Sequence, residues 1–211
     1  EASAAPTPTP TSAPEGLEKA ELLVGLLYPG DVSDQGYTRS LSAGADEMAQ
    51  ALGLEEGQIR ERYNVGTEED AAQAAQALAD AGCRIVFSTS PFFGEEVIQA
   101  AQDNPEVQFC QLAGGIWEET GSTPENFHRY YPAVHEGRYL AGIAAGEKAK
   151  ELGNPRLGYV APEACAEVIS GFTAFYLGAK SVYPEVVMDV VYTGAWEDAA
   201  QDSQAAKTLV S

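Results

Sequence analysis

The regular alternation of short apolar segments with longer segments of helical periodicity most constrains the fold of this chain. The apolar run from Glu21 to Tyr28 is typical of a strand buried on both faces, and apolar residues then recur at helical spacing from Tyr37 to Leu52. The same order recurs along the chain as far as Leu112. Repeated strand-helix units predict parallel sheets covered by helices on both faces, and right-handed crossovers make such sheets doubly wound. We therefore expect an α/β fold with at least four parallel strands between residues 21 and 112.

The chain beyond residue 126 repeats this pattern with fewer strands. Asn126–Tyr131 has the character of a strand or a crossover, and a long helix is predicted over Val134–Leu152. Two clear strands follow, Arg156–Ala161 and Val187–Thr193, each with a helix after it. Two strands make a poor parallel sheet, so the pattern predicts a second lobe that is incomplete in this chain. The predicted domains are a disordered linker over residues 1–19, an N-terminal ligand-binding lobe over 20–130 and a partial C-terminal lobe over 131–211.

Charge and composition exclude several classes of protein. The chain has 32 Asp and Glu residues against 12 Lys and Arg, a formal net charge of −20. This balance argues against nucleic acid or an anionic membrane surface as a partner, because both attract clustered positive charge. Two histidines and three widely spaced cysteines argue against a zinc site and a disulfide framework. We expect no metal, no cofactor and no internal disulfide among Cys83, Cys110 and Cys165.

Residues 1–16 differ in composition from the rest of the chain. They consist mainly of Pro, Thr, Ser and Ala and include no large apolar residue. Such a segment buries too little surface to offset its ordering entropy, and alternating Thr-Pro favours extended polyproline II. Two interpretations stay open: a generic disordered terminus, or a stalk that holds a domain away from a cell surface.

Candidate ligand-binding residues follow the predicted strands, because ligands of open α/β sheets bind beyond the carboxyl ends of the strands. Aromatic rings there could stack on a planar ring, and carboxylates could accept its N–H or hydroxyl groups. Each residue alone also has a structural explanation, which is core packing for the rings and helix capping for Asp34 and Glu163. The candidates in these loops are Asp34, Gly36, Tyr37, Ser90, Phe92, Phe93, Gly114, Gly115, Trp117, Glu163, Cys165, Glu167, Trp196 and Asp198.

Enzyme motifs are missing from the sequence. There is no G-x-G-x-x-G after the first strand, no phosphate-binding G-x-x-x-x-G-K-[ST] and no G-x-S-x-G elbow. Cys165 lies in a candidate loop, but His128 and His135 belong to the crossover and the helix after it. A catalytic Cys-His pair would need an improbable geometry. We therefore expect a protein that is not an enzyme.

Several motifs stand in order from about residue 21 to 211, and the most specific is Y-L-A-G-x-x-A-G in the helix Glu136-Gly-Arg-Tyr-Leu-Ala-Gly-Ile-Ala-Ala-Gly146. The others are the opening strand Val24-Gly-Leu-Leu-Tyr-Pro-Gly with Asp34-Gln-Gly-Tyr37, the segment Asn104-Pro-Glu-Val-Gln-Phe109, the segment from Leu157 to Phe175 and Tyr192-Thr-Gly-Ala-Trp-Glu-Asp198. Together these motifs resemble those of the basic membrane protein family of substrate-binding lipoproteins.

The resemblance implies a type I periplasmic-binding-protein fold, in which two doubly wound lobes close on a ligand by a hinge. It places the first crossing between lobes near Phe127 to Ala133. It implies ligand contacts from the first lobe and from the second. These are Asp34, Gly36, Tyr37, Ser90 and Phe92 or Phe93 in the first, and Glu167 and Trp196 in the second. Nucleoside receptors of the family tend to show D-K-S-F-N where this chain has D-Q-G-Y, which favours a free purine base or a related ring.

The function implied is that of an extracytoplasmic receptor of an ABC importer that binds a purine base or nucleoside between two hinged lobes. Its partners would be the permease subunits, with a membrane tether only through a lipid anchor absent from this chain, and it would act as a monomer. Three alternatives stay open: a ligand sensor of the same fold without transport, a flavodoxin-like α/β enzyme, and a structural surface protein that has lost its ligand.

Overall fold

The computed structural model describes residues 16–34, 36–112, 123–196 and 198–210. The predicted linker therefore lies almost entirely outside the described residues, as does the loop with Gly114, Gly115 and Trp117. The chain divides into two compact units, residues 1–111 with 123–128 and residues 112–122 with 129–211. The predicted assignment of these units to ligand-binding lobes stays a prediction.

The elements of the first unit are β1 (Val24–Leu27), α1 (Tyr37–Leu52), β2 (Ile59–Arg62), α2 (Glu68–Asp80), β3 (Ile85–Ser88), α3 (Gly94–Asp103), β4 (Gln108–Leu112) and β5 (Phe127–Tyr130). The five strands form one sheet in the order β2-β1-β3-β4-β5. The strands β1, β2, β3 and β4 pair in parallel, which confirms the four parallel strands predicted before residue 112. The segment that the sequence left open between strand and crossover is β5, the strand beside β4.

Burial on both faces explains why β1 is a continuous apolar run. Leu27 packs on one face of the sheet with Leu78 from α2 and Val97 from α3. Val24 and Leu26 pack on the other face with Ala45 from α1. Helices therefore cover both sides of β1, as expected for a doubly wound sheet.

Local signals in the sequence determine where the helices begin and end. Thr67 precedes α2, and its hydroxyl accepts a hydrogen bond from the Asp70 backbone N–H. Gly82 follows the end of α2 with φ of +88°, a left-handed conformation that glycine adopts without steric cost. Glu163 does not cap the helix α5 (Ala166–Val182) as the sequence suggested, because that helix begins after Cys165, with no capping side chain.

The second unit contains a two-stranded parallel sheet among its described residues. The helices α4 and α5 pack closely against each other, because glycines lie where their backbones meet. A methyl group on Gly142 would collide with the carbonyl group of Phe175, and one on Gly178 with that of Tyr139. The elements are α4 (Val134–Leu152), β6 (Arg156–Ala161), α5 (Ala166–Val182), β7 (Val187–Tyr192) and α6 (Ala199–Val210).

The three cysteines are free thiols. Cys110 in β4 pairs with Phe87 in β3, four positions beyond Cys83. At about 3.3 Å per residue along a strand, this offset is far longer than the roughly 7 Å that a disulfide spans between Cα atoms. Within the described ranges, no helix is long and apolar enough to cross a membrane.

Candidate functional site

The carboxyl edge of the first sheet brings together the loops after β1 and β3. In the order 2-1-3-4-5, the crossovers leave β1 and β3 in opposite directions, and ligands of such sheets bind at this switch point. The Tyr37 hydroxyl donates to the Thr89 carbonyl oxygen at 2.6 Å and so joins the two loops. The Thr89 hydroxyl in turn donates to the Leu27 carbonyl oxygen at 2.7 Å. The sequence does not reveal the role of Thr89, because an isolated threonine after a strand carries no distinctive signal.

Asp34 organises the first loop through backbone hydrogen bonds. Its carboxylate accepts from the backbone N–H groups of Gly36, Thr38 and Arg39 at 2.9, 2.6 and 3.2 Å. These bonds, led by that from Gly36, lower the pKa of Asp34 to about 2. The carboxylate therefore caps the amino end of α1, which was one of its two predicted roles. Its predicted contact with a ligand stays a prediction.

The two phenylalanines of the second loop lie in different surroundings. Phe93 is 4% exposed and belongs to the core that includes Val97 and Phe109. Phe92 is 64% exposed, and Tyr37 across the loop is 49% exposed. Phe93 thus offers no accessible ring, whereas Phe92 and Tyr37 offer ring faces on adjacent loops. Ser90 is buried, and its carbonyl oxygen accepts from the Gln111 side chain at 2.6 Å.

The second unit has a cleft of about 260 Å³ at the carboxyl end of β6. Both residues predicted for this unit, Glu167 and Trp196, line it. The Trp196 side chain is half-exposed, as a ring that receives a ligand would be. The cleft also contains residues that the sequence analysis did not propose as ligand contacts, namely Val134, His135, Arg138, Tyr159, Val160, Pro162, Val168, Ser170 and Gly171.

Helical spacing is the signal that could have revealed two of these missed residues. His135 and Arg138 are three residues apart in the first turns of α4 and therefore share one helix face. Because α4 packs along α5, that face lies beside Glu167 in the first turn of α5.

Burial and charge oppose each other at Glu167. Partial burial raises the pKa of Glu167, and the positive charge of Arg138 acts against that rise. Burial also raises the pKa of Tyr131, with a further contribution from Glu167. The cleft thus combines an aromatic ring, a carboxylate and a guanidinium group at the carboxyl end of a parallel strand.

Asp198 accepts from the backbone N–H groups of Ala200 and Gln201 at 3.1 and 3.0 Å and caps α6.

A family model described as ABC transporter substrate-binding protein PnrA-like, or Bmp, matches residues 21–211. The chain belongs to the Bmp family. This confirms the family that the sequence motifs suggested, and it supports the receptor interpretation over a flavodoxin-like enzyme, because the Bmp family is one of solute-binding proteins.

Relatives of the Bmp chain carry names for more than one ligand. A purine-binding protein of Brucella abortus is 30% identical over 90% of the chain and 51% of its own length. A putative ABC transporter glucose-binding protein of Haloferax volcanii is 28% identical over 87% of the chain and 44% of its own length. The ABC transporter nucleoside-binding protein BmpA of Lactococcus lactis is 24% identical over 94% of the chain and 54% of its own length. The chain thus spans about half the length of these relatives.

Solved structures support the fold. An ABC transporter solute-binding protein from Conexibacter woesei superposes with a TM-score of 0.67 at 20% identity, over 90% of this chain and 60% of that one. At this identity the likeness concerns the fold alone. It confirms the periplasmic-binding-protein architecture predicted for the Bmp chain.

Proposed function

We propose that the full-length protein is an extracytoplasmic solute receptor of an ABC importer and that it binds a purine base or nucleoside. The observation that carries this proposal is the cleft of the second unit, where Trp196 and Glu167 lie together. An indole face stacks on a planar heterocycle, and a carboxylate accepts from its N–H groups. The family match and the purine and nucleoside relatives support the same ligand class.

The first unit supports this proposal with a second set of rings. Tyr37 and Phe92 present exposed faces at the carboxyl edge of its sheet. We propose that they, too, contact the ligand, together with the exposed backbone at Gly36.

Calorimetry on the full-length protein tests the ligand class. We expect hypoxanthine, adenine or their nucleosides to bind and glucose to give no heat. Binding of glucose with no response to any purine would overturn the proposal in favour of a sugar receptor. The glucose arm is included because one relative carries that name.

Replacing the indole tests the site itself. We expect Trp196→Ala to weaken purine binding by about five- to 150-fold, because a stacked base contributes on the order of 1–3 kcal/mol. Tyr183→Ala, at the opposite end of α5, is the matched control and should leave affinity unchanged. If Trp196→Ala left affinity intact while lowering the melting temperature, Trp196 would be structural.

Transport, tethering and oligomeric state belong to the same proposal. We infer a permease and an ATPase as partners, a lipid anchor on the full-length protein and a monomeric receptor. Deleting the gene should abolish uptake of the labelled purine by intact cells. Unchanged uptake, with a loss of purine-dependent gene expression instead, would favour a sensor of the same fold.

A further inference from the structure

The cleft of the second unit contains two groups of opposite charge on neighbouring helices. Arg138 extends from α4 and Glu167 from the first turn of α5. The Cγ of Arg138 lies 3.9 Å from the position that a Cβ on Gly171 would occupy, so the stem of the arginine runs alongside the first turns of α5.

The donors of Arg138 and the acceptors of Glu167 are available to a ligand. Arg138 acts on both Glu167 and Tyr131 through its charge. Among the described residues, no hydrogen bond or ion pair joins Arg138 to Glu167. A guanidinium group offers five N–H donors in a planar fork, and a carboxylate offers only acceptors. A ligand edge that fits both groups must present acceptors to the guanidinium group and, beside them, a donor to the carboxylate.

6-Oxopurines and 6-aminopurines differ in where they present hydrogen-bond acceptors and donors. A 6-oxopurine such as hypoxanthine or guanine presents O6 and N7 as adjacent acceptors, which arginine contacts in bidentate fashion. Its N1–H lies on the other side of O6 and is a donor, and guanine adds the N2 amino group. Adenine presents an amino group in place of O6 and has an acceptor at N1, so its pattern at these two positions is reversed.

We propose that Arg138 and Glu167 make this receptor selective for 6-oxopurines over 6-aminopurines. In this arrangement Arg138 donates to O6 and N7, and the Glu167 carboxylate accepts from N1–H while the ring stacks on Trp196. With adenine, the guanidinium group would face the N6 amino group, and the carboxylate would face the N1 lone pair. This inference rests on the proposed binding of purines and adds the class of purine that is bound.

Competing hypoxanthine and adenine on the full-length protein tests the selectivity without any variant. A bidentate contact discriminates against the wrong base by about 1–3 kcal/mol, which corresponds to roughly five- to 150-fold in affinity. We expect calorimetry to show hypoxanthine binding at least tenfold more tightly than adenine. Equal affinities, or a preference for adenine, would overturn the inference and leave the proposed purine receptor intact. If neither base nor its nucleoside bound, both proposals would fail.

Two variants assign the selectivity to Arg138. Arg138→Met should reduce the ratio of the two affinities towards one, and Arg138→Lys, which keeps the charge but loses the planar fork, should give an intermediate ratio. Arg156→Met is the matched control, because Arg156 begins β6 at the end of the strand opposite the cleft. An Arg138→Met protein that keeps the hypoxanthine preference of the wild type would overturn the assignment, and so would a loss of preference in Arg156→Met.

Discussion

The Asp34 carboxylate organises the loop between β1 and α1. Its two oxygens together accept three backbone N–H groups at the amino end of α1, two of them on Oδ1 and the shortest, from Thr38, on Oδ2. The first N–H groups of a helix have no partner within the helix, and the helix dipole favours negative charge beside them. These bonds keep Gly36 and Tyr37 in position at the edge of the first sheet.

The depressed pKa of Asp34 predicts how stability depends on pH. The pKa is about 2 in the folded protein and about 3.9 in an unfolded chain, so the charged form contributes stability above pH ~4. This contribution is lost as the pH falls through about 2. We expect the stability difference between wild type and Asp34→Asn, measured by urea unfolding, to shrink from pH 6 to pH 2. Because Asn keeps a capping oxygen, the comparison isolates the charge. A difference that is constant or grows on acidification would contradict the assignment.

At the scale of elements, glycines let the backbones of α4 and α5 pack at close range. Gly142 and Gly146 of α4 lie against the backbone of α5, and Gly178 of α5 lies against the backbone of α4. Because the two backbones approach closely at these glycines, the helices touch there through backbone atoms and not through interdigitated side chains. The first turns of both helices line the cleft, so this packing positions Arg138 and Glu167 relative to each other.

A methyl group at the helix contact should therefore separate the two helices. We expect Gly142→Ala to destabilise the protein by about 1–3 kcal/mol, in spite of the higher helix propensity of alanine, because the new methyl group meets the Phe175 carbonyl group. Gly137→Ala is the matched control in the same helix, since a Cβ there meets nothing within 4 Å. That substitution should be neutral or stabilising by about 0.4–1 kcal/mol. Thermal unfolding of both variants checks the prediction, which fails if Gly142→Ala is as stable as Gly137→Ala.

At the scale of the whole molecule, negative charge dominates. The 32 acidic residues exceed the 12 basic ones by 20, so most carboxylates have no cation to pair with. Ion pairs such as Lys148–Glu151 and Arg156–Asp189 are exposed to solvent and contribute little. A compact chain of this charge repels itself, which keeps it in solution but lowers its stability.

Salt should therefore raise the melting temperature. The screening length falls from about 30 Å in 0.01 M salt to about 8 Å in 0.15 M. For a chain of this size, each kcal/mol of relieved repulsion should raise the melting temperature by roughly 2–4 °C. Scanning calorimetry at pH 7 over that range measures the effect. The same series near pH 4, where carboxylates are partly protonated, is the control and should show a smaller rise. A melting temperature that falls with salt at pH 7 would show that favourable ion pairs outweigh the repulsion.

The sequence by itself determined the elements and the family. Apolar periodicity located α1 and α4 with the bounds that the structure gives, because this periodicity depends on residues near each other in the chain. The motifs between residues 21 and 211 identified the Bmp family. They also named Glu167 and Trp196, which the structure brings into one cleft.

Only the tertiary structure decided the surroundings of each side chain. Adjacent and chemically identical, Phe92 and Phe93 differ in exposure because the turn before α3 directs one ring into the core and the other to solvent. Arg138 and Glu167 are 29 positions apart in the sequence. They share a cleft because glycines let α4 and α5 pack at close range, and contacts between distant segments leave no periodic signal along the chain.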